Sequence, residues 1–267
     1  MAGNAEVAAR ASGYRERNST ADRALDILAM FTDDRAVVSG VEVADHLGTS
    51  RSTAYRYLQS LVANRFLEEA PSGGFRLGLR VLELARLARR AYGLSDVAMP
   101  VMQRLAATTQ ESVLLTRRAG DLVVCLDRAE SVAHAVRISY ERGSALPVNA
   151  GASALALLAW ADPADTRVLL ERAHLTSFTP ATLTEVDAVM ARLEEIRRLG
   201  YSVTRGELDS DVLGIAAPIR DDSGAVVAAV SVAAIASRVP PTRQHEVVAA
   251  VCDAATEISE RLVTVAG

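Results

Sequence analysis

Ser50, Arg51, Ser52, Thr53, Tyr55 and Arg56 bring short hydroxyls, two guanidiniums and a phenol together within a single short segment. From His46 to Leu67 the chain carries three Arg (51, 56 and 65) and no carboxylate, although its net charge is −4. Hydroxyls and backbone amides at a helix start suit phosphate oxygens. A guanidinium can bind guanine O6 and N7 in the major groove in bidentate fashion. Ser50, Ser52 and Thr53 are therefore expected to meet phosphate, and Arg51 or Arg56 to read a base edge. Tyr55 is placed to donate to phosphate or touch a thymine methyl, and Arg76, further on, to meet the nucleic-acid backbone. A plain amphipathic helix with one solvated face has the same spacing, so the surrounding elements decide.

Those elements agree. Ala24, Leu25, Ile27, Leu28 and Phe31 form a helix face behind a cap at Ser19 or Thr20. Ser39 and Glu42 have capping-box spacing, Val43, Ala44 and Leu47 supply an inner face, and Gly48 closes the helix. In a third helix, from Arg51 to about Asn64, Ala54, Leu58, Leu61 and Val62 face the core. Two short extended pieces around Pro71-Ser72-Gly73-Gly74 make a hairpin. Three helices with a Gly-containing turn before the third, then a Gly-tipped hairpin, form a winged helix-turn-helix over 19–78, behind a loose arm at 1–18. The expected partner is double-stranded operator DNA. A net-acidic chain does not oppose this, because specific readers confine positive charge to one face.

Residues 79–94 read as an amphipathic linker helix, with Val81, Leu84, Ala85, Ala88 and Tyr92 on one face, available to a partner chain. From 95 to 267 the pattern is mixed. Helices are expected near 97–108, 152–159, 166–173, 184–199 and 243–263. Strands are expected near 112–117, 122–127, 133–139, 201–205, 214–220 and 226–234. Hairpin-joined strands flanked by helices give an antiparallel sheet under helical cover, an α+β fold.

Enzyme chemistry finds little support. The four His (46, 134, 174 and 245) share no i, i+4 spacing, and GxSxG, HExxH, Walker and GxGxxG motifs are absent. Ser153 has no evident base, so a small hydrolase is the weaker alternative. Asp209 and Asp211 read as an acid-rich turn. Cys125 and Cys252 lie far apart among apolar residues and read as buried thiols. No metal or cofactor is expected. Without an apolar span of about 18 residues or a signal-peptide core, the chain reads as cytoplasmic, with no membrane partner. All 29 basic residues are Arg, spread over both domains, which genome composition explains better than DNA reading does.

The chain resembles the IclR family of bacterial regulators. The resemblance is carried by ADRALDILAMF at 21–31, VADHLGTSRSTAYRYLQSL at 43–61, FRLGLRVLELA at 75–85, LPVNAGASALALLA at 146–159, IRRLGYSVTRGE at 196–207 and GIAAPIRDDSGAVVAAVSV at 214–232. It implies a DNA-binding domain, a dimerising linker helix, and a GAF/PAS-like domain that binds a small-molecule effector. It also implies a homodimer or tetramer on palindromic operators that represses, or activates, catabolic genes. A second domain that only dimerises is the other reading. Matching the family's effector pocket implies an apolar wall at Ile138, Leu146 and Val212, and Ala152 and Ser153 at a helix start that holds a carboxylate. Thr204, Gly214, Ser231 and Ala233 take the remaining positions.

This chain departs from relatives that bind small oxoacids: of their acid, thiol and two hydroxyls, only Ser231 is kept. Gly214 and Ala233 imply a roomier, less polar pocket, and hence a larger aromatic or aliphatic carboxylate or amide. Ser153 would serve equally as a simple N-cap. Arg137 and Arg205 are candidate counter-charges, with surface exposure the simpler expectation.

Overall fold

The computed structural model describes residues 19–32, 34–131 and 141–266, so the arm at 1–18 and the strand expected at 133–139 lie outside the described residues. The chain divides into two compact units, Met1–Ala88 and Arg89–Gly267.

In the first unit α1 (Ser19–Ala29), α2 (Gly40–His46) and α3 (Arg51–Ala63) precede the hairpin β1 (Leu67–Glu69) and β2 (Phe75–Leu77). Ser19 and Thr20, expected as caps, are already within α1. The capping box at α2 is complete: Ser39 Oγ accepts from the Glu42 amide, and the Glu42 carboxylate accepts from the Ser39 amide. These two bonds hold the Glu42 carboxyl below its ordinary range.

The turn between α2 and α3 ends as a Schellman motif. Gly48, at φ +59°, donates to Asp45, and Thr49 donates to Ala44. Only a residue tolerant of positive φ ends α2 this way, and the turn aims α3. One sequence-invisible element joins the wing: Val38 bridges Phe75 through N–H···O distances of 2.9 and 2.8 Å. A single bridged residue has no period to read. The core is built from Ile27, Val43, Ala44, Ala54, Leu58, Leu61, Leu67 and Phe75.

Helix α4 (Leu79–Tyr92) runs across the division between the units. Gly93, at φ +61°, separates it from α5 (Leu94–Thr109), so Leu94 opens the next helix instead of closing the linker. The second unit continues with β3 (Ser112–Ala119), β4 (Leu122–Ala129), β5 (Ala145–Leu146), α6 (Ala152–Leu158), α7 (Pro163–Arg172), α8 (Val186–Leu199), β6 (Ser202–Arg205), β7 (Val212–Arg220), β8 (Val226–Ile235) and α9 (Pro241–Ala266). Asp162 caps α7 through the Ala164 and Asp165 amides, with Pro163 at the first helical position.

The six strands form one antiparallel sheet in the order β5-β4-β3-β8-β7-β6. Side chains alternate across it. Val113, Leu115, Leu213, Ile215, Ala217, Ile219, Val230 and Val232 point to the face covered by α5 and α9. Leu114, Ala216 and Ala229 point to the face covered by α6, whose outer side packs Leu155 and Leu158 against Leu169, Leu170, Val189 and Leu193 of α7 and α8. Small residues opposite α6 let the helix sit close to the strands.

Cys125 belongs to the α6 face and is fully buried; burial pushes its thiol up to about 11. The sign is that of a group whose charged form is disfavoured, so it stays protonated throughout the neutral range. Iodoacetamide at pH about 8 is therefore expected to leave Cys125 unmodified in the native protein and to label it after denaturation, read by peptide mass. Rapid native labelling of Cys125 would contradict the packing of this face.

Candidate functional site

On α3, Ala54, Leu58 and Leu61 are buried, while Arg51, Ser52, Tyr55, Arg56 and Gln59 are exposed, as the period of 3.6 requires. Ser50 caps the helix by accepting from the Thr53 amide, and its hydroxyl lies 3.0 Å from Thr53 Oγ1 and 3.2 Å from Ser52 Oγ. The three hydroxyls thus form one polar cluster around the first turn. Arg51 and Arg56 make no ion pair with any carboxylate among the described residues.

Two of the expected contact residues also make contacts within the protein. Tyr55 is half-exposed but seated: its ring meets Phe75 edge-on, with centroids 6.0 Å apart at 73°. A Cβ on Gly40 would come within 2.5 Å of that ring, so Gly40 makes the seat. Arg76 is paired across the wing with Glu68, at 2.6 Å, so its charge is partly spent within the protein. Glu68 was missed by the sequence reading, yet the hairpin register around Pro71–Gly74 places it opposite Arg76.

In the second unit a cavity of about 130 Å³ lies between the sheet and the start of α6. Eight residues expected to share a pocket do share it: Leu146, Ala152, Ser153, Thr204, Val212, Gly214, Ser231 and Ala233. Ile138 lies outside the described residues, as does Arg137. The strand register explains the assembly. Thr204 pairs with Gly214, Gly214 with Ala233, and Leu114 with Ser231, placing neighbouring positions of β6, β7, β8 and β3 on one face. The cavity is also lined by Gly151, Glu207, Leu208 and Asp209, which the sequence reading did not include.

Ser153 is not a cap. Gly151, at φ +86°, holds that position, and the Ser153 hydroxyl is hydrogen-bonded to Ser231 Oγ at 2.7 Å, both side chains being buried. Gly214 does not enlarge the cavity as expected. A Cβ there would lie 2.8 Å from Thr204 Oγ1 and 3.1 Å from the Ala152 Cβ, so its missing side chain lets β6 and α6 close in. Arg205 is bonded to Gln244 and is exposed, so it supplies no counter-charge to the cavity.

The loops that carry Gly151 and Glu207 are tied to their neighbours by hydrogen bonds. Buried Asn149 donates to the carbonyls of Thr176 (3.1 Å) and Leu183 (2.8 Å). Thr182 donates to the Glu207 carbonyl at 2.6 Å and accepts from the Phe178 and Thr179 amides. Asp209 accepts from the Asp211 amide at 3.2 Å, the acid-rich turn expected there. Glu207 accepts from the Gly151 amide at 3.1 Å, and burial raises its carboxyl above the ordinary range against the pull of that bond and of Arg192. Among the described residues no group of His, Cys, Asp and Glu is arranged to hold a metal ion, and no helix is long and apolar enough to cross a membrane.

A winged helix-turn-helix joined to a separate α/β unit defines a class of DNA-binding transcriptional regulators. Comparison with known proteins agrees. The model of the IclR helix-turn-helix domain matches residues 20–71, and that of the bacterial transcriptional regulator IclR C-terminal domain matches 88–260. The chain is 30% identical to the transcriptional repressor AllR of Escherichia coli over 242 residues, covering 90% of this chain and 89% of AllR.

An IclR-type regulator from Silicibacter sp. TM1040 superposes with a TM-score of 0.82 at 30% identity, covering 91% of this chain and 96% of that one. An IclR homologue from Microbacterium hydrocarbonoxydans, solved with 4-hydroxybenzoate, gives a TM-score of 0.78 at 30% identity, covering 91% and 98%. The chain belongs to the IclR family. It is a transcriptional regulator with a helix-turn-helix DNA-binding domain, not an enzyme.

Proposed function

We propose that this regulator is a cytoplasmic repressor of a catabolic operon, released or retained on its operator by a small carboxylate or amide bound in the cavity of the second unit. The observation that carries the reading is the cavity itself: eight residues from separate elements converge on one partly open, mostly apolar space beside a buried hydroxyl pair. Its volume of about 130 Å³ is close to the ~150 Å³ of an apolar cavity that accepts benzene, so it suits one ring or a short branched chain. The 4-hydroxybenzoate held by the Microbacterium homologue has that size, and AllR supports the repressor reading.

Operator contact falls to Ser50, Arg51, Ser52, Thr53, Tyr55 and Arg56 on α3, with Arg76 on the wing. The linker expected at 79–94, helical over Leu79–Tyr92, serves to join the DNA-binding and C-terminal domains and as part of a homodimer or tetramer interface. Leu79 and Leu82 on α4 are 66% and 67% exposed, apolar surface that a partner chain would cover. A dimer would then meet two half-sites about 34 Å apart, or a multiple of that.

The test is fluorescence anisotropy on DNA from upstream of the chain's own gene and on scrambled DNA, repeated with 4-hydroxybenzoate and with aliphatic acids and amides. Sequence-selective binding that one compound shifts is the expected result. Selective binding that none shifts overturns the sensor reading and leaves a second unit that only assembles the protein.

A further inference from the structure

At the end of the sheet away from the first cavity, the pairing of β3 with β8 gives out. Residues 112–116 pair with 229–233, and beyond that point 117–119 pair only with β4, and Val226 and Ala228 only with β7. The cause is local. The β3–β4 register shifts at Leu115/Thr116 and the β7–β8 register at Ile219/Arg220, and such irregularities bend and twist both hairpins near the place where they part. The opening is a cleft of about 230 Å³ whose lining includes Arg117, Arg118, Leu157, Trp160, Val226 and Val227 and no carboxylate. Where ~150 Å³ accepts benzene, this space takes one substituted ring or a chain of about six carbons. Arg118 donates its Nε–H to the Gly120 carbonyl at 2.8 Å. Arg220, its guanidinium 5.2 Å from the Trp160 ring centroid, donates to the Gly224 carbonyl at 2.9 Å. Both side chains are half-buried, and neither pairs with a carboxylate among the described residues, so most of the donors of each guanidinium are unspent. Asp221, the acid of the adjoining turn, is engaged within that turn by the Ser223 amide and hydroxyl and by the Ala225 amide.

We propose that this cleft is a second ligand site, for an organic anion whose carboxylate accepts from Arg118 in the field of Arg220 and whose apolar body lies against Leu157, Trp160 and Val226. A carboxylate matches the planar fork of a guanidinium, and a half-buried cation without a counter-ion gains from one. The apolar part of the lining is what a bare inorganic ion would leave uncovered, so the cleft favours an acid with a body over phosphate. The cleft lies at the other end of α6 from the first cavity. Ala152 and Ser153 line that cavity, whereas Leu157 and Trp160 line the cleft. The two sites are therefore separate, and the proposal does not depend on what the first cavity takes.

Trp160 is the only tryptophan of the chain, so its emission reports on this cleft. Titration of the full chain with hexanoate is expected to change that emission saturably. Hexanamide, of the same shape but uncharged, and inorganic phosphate, charged but without a chain, are each expected to bind at least about tenfold more weakly. Arg118 does not line the first cavity, and Arg118→Gln keeps a donor while removing the charge. That variant is expected to bring hexanoate down to the level of hexanamide, a loss of about tenfold or more. Hexanoate and hexanamide binding alike, phosphate binding as well as hexanoate, or no saturable change at all each overturns the proposal. Unaltered hexanoate binding by Arg118→Gln overturns it too, and places the acid in the first cavity, with α6 carrying the change to Trp160. Should the variant not fold, methyl NMR of the wild-type protein decides: the Leu157, Val226 and Val227 methyls are expected to shift with hexanoate and far less with hexanamide. Methyls that hexanoate leaves unmoved overturn the proposal.

Discussion

The Arg51→Ala and Arg56→Ala proteins are each expected to bind operator DNA more weakly by about 1–3 kcal/mol, and one of them to lose its preference at a single base pair. Both guanidiniums stand on the exposed face of α3 without an ion pair among the described residues, so truncation removes contacts to DNA and almost nothing from the fold. The pattern of loss identifies the role. A base reader relaxes discrimination at one position and leaves affinity for scrambled DNA nearly unchanged. A phosphate contact weakens all DNA alike and lowers the salt slope by about 0.9.

Arg76→Ala is expected to give the second pattern with a smaller loss, since Glu68 already takes part of its charge at 2.6 Å. Glu68→Gln should do the reverse, tightening operator and scrambled DNA together. The measurement is anisotropy across a set of single-base operator variants at two salt concentrations. If both α3 variants discriminate between operator and scrambled DNA as the wild type does, α3 is not the reading helix.

How much of this was legible in the sequence follows from the range of the interactions. The capping box of Ser39 and Glu42 and the Gly48 turn depend on neighbours within six residues, and local chemistry revealed them. Strands near β7 and β8 were legible as well, but it is their register that places Gly214, Ser231 and Ala233 on one side. The two-residue β5 and the Val38 bridge are too short to show any period.

The cavity lining was matched through family resemblance, but the physical state of its residues was not readable. Gly214 is a glycine because Thr204 and Ala152 fill the space beside it, a fact created by the pairing of β6 with β7 and by the seat of α6. Glu207 meets Gly151 across 56 positions of sequence. No periodicity reports such a contact, which exists only once α6 has docked on the sheet and the loop after β6 has folded back over it.

Leu58→Ala is expected to abolish operator binding while leaving the second unit folded. Leu58 is fully buried in a core that contains few large side chains, chiefly Ile27, Leu61, Leu67 and Phe75, drawn from α1, α3 and the wing. Emptying a buried Leu site costs about 2–5 kcal/mol, the upper end applying where neighbours cannot collapse. Here they are held by the wing, which is bridged at Val38, and by a capped α2, so little relaxation is available.

A domain of roughly 60 residues has about 3–9 kcal/mol to lose, so the substitution removes half or more of its stability. The second unit has separate cores on both faces of its sheet and shares none of these side chains. Calorimetry should therefore show one transition moved far down in temperature and another unchanged, with ligand stabilising only the latter. A Leu58→Ala protein that melts in one step, at a single lowered temperature for both units, would mean that the reading head and the effector unit fold as one cooperative body. In that case a ligand in the cavity could act on DNA affinity through the stability of the reading head itself, without any change in its geometry.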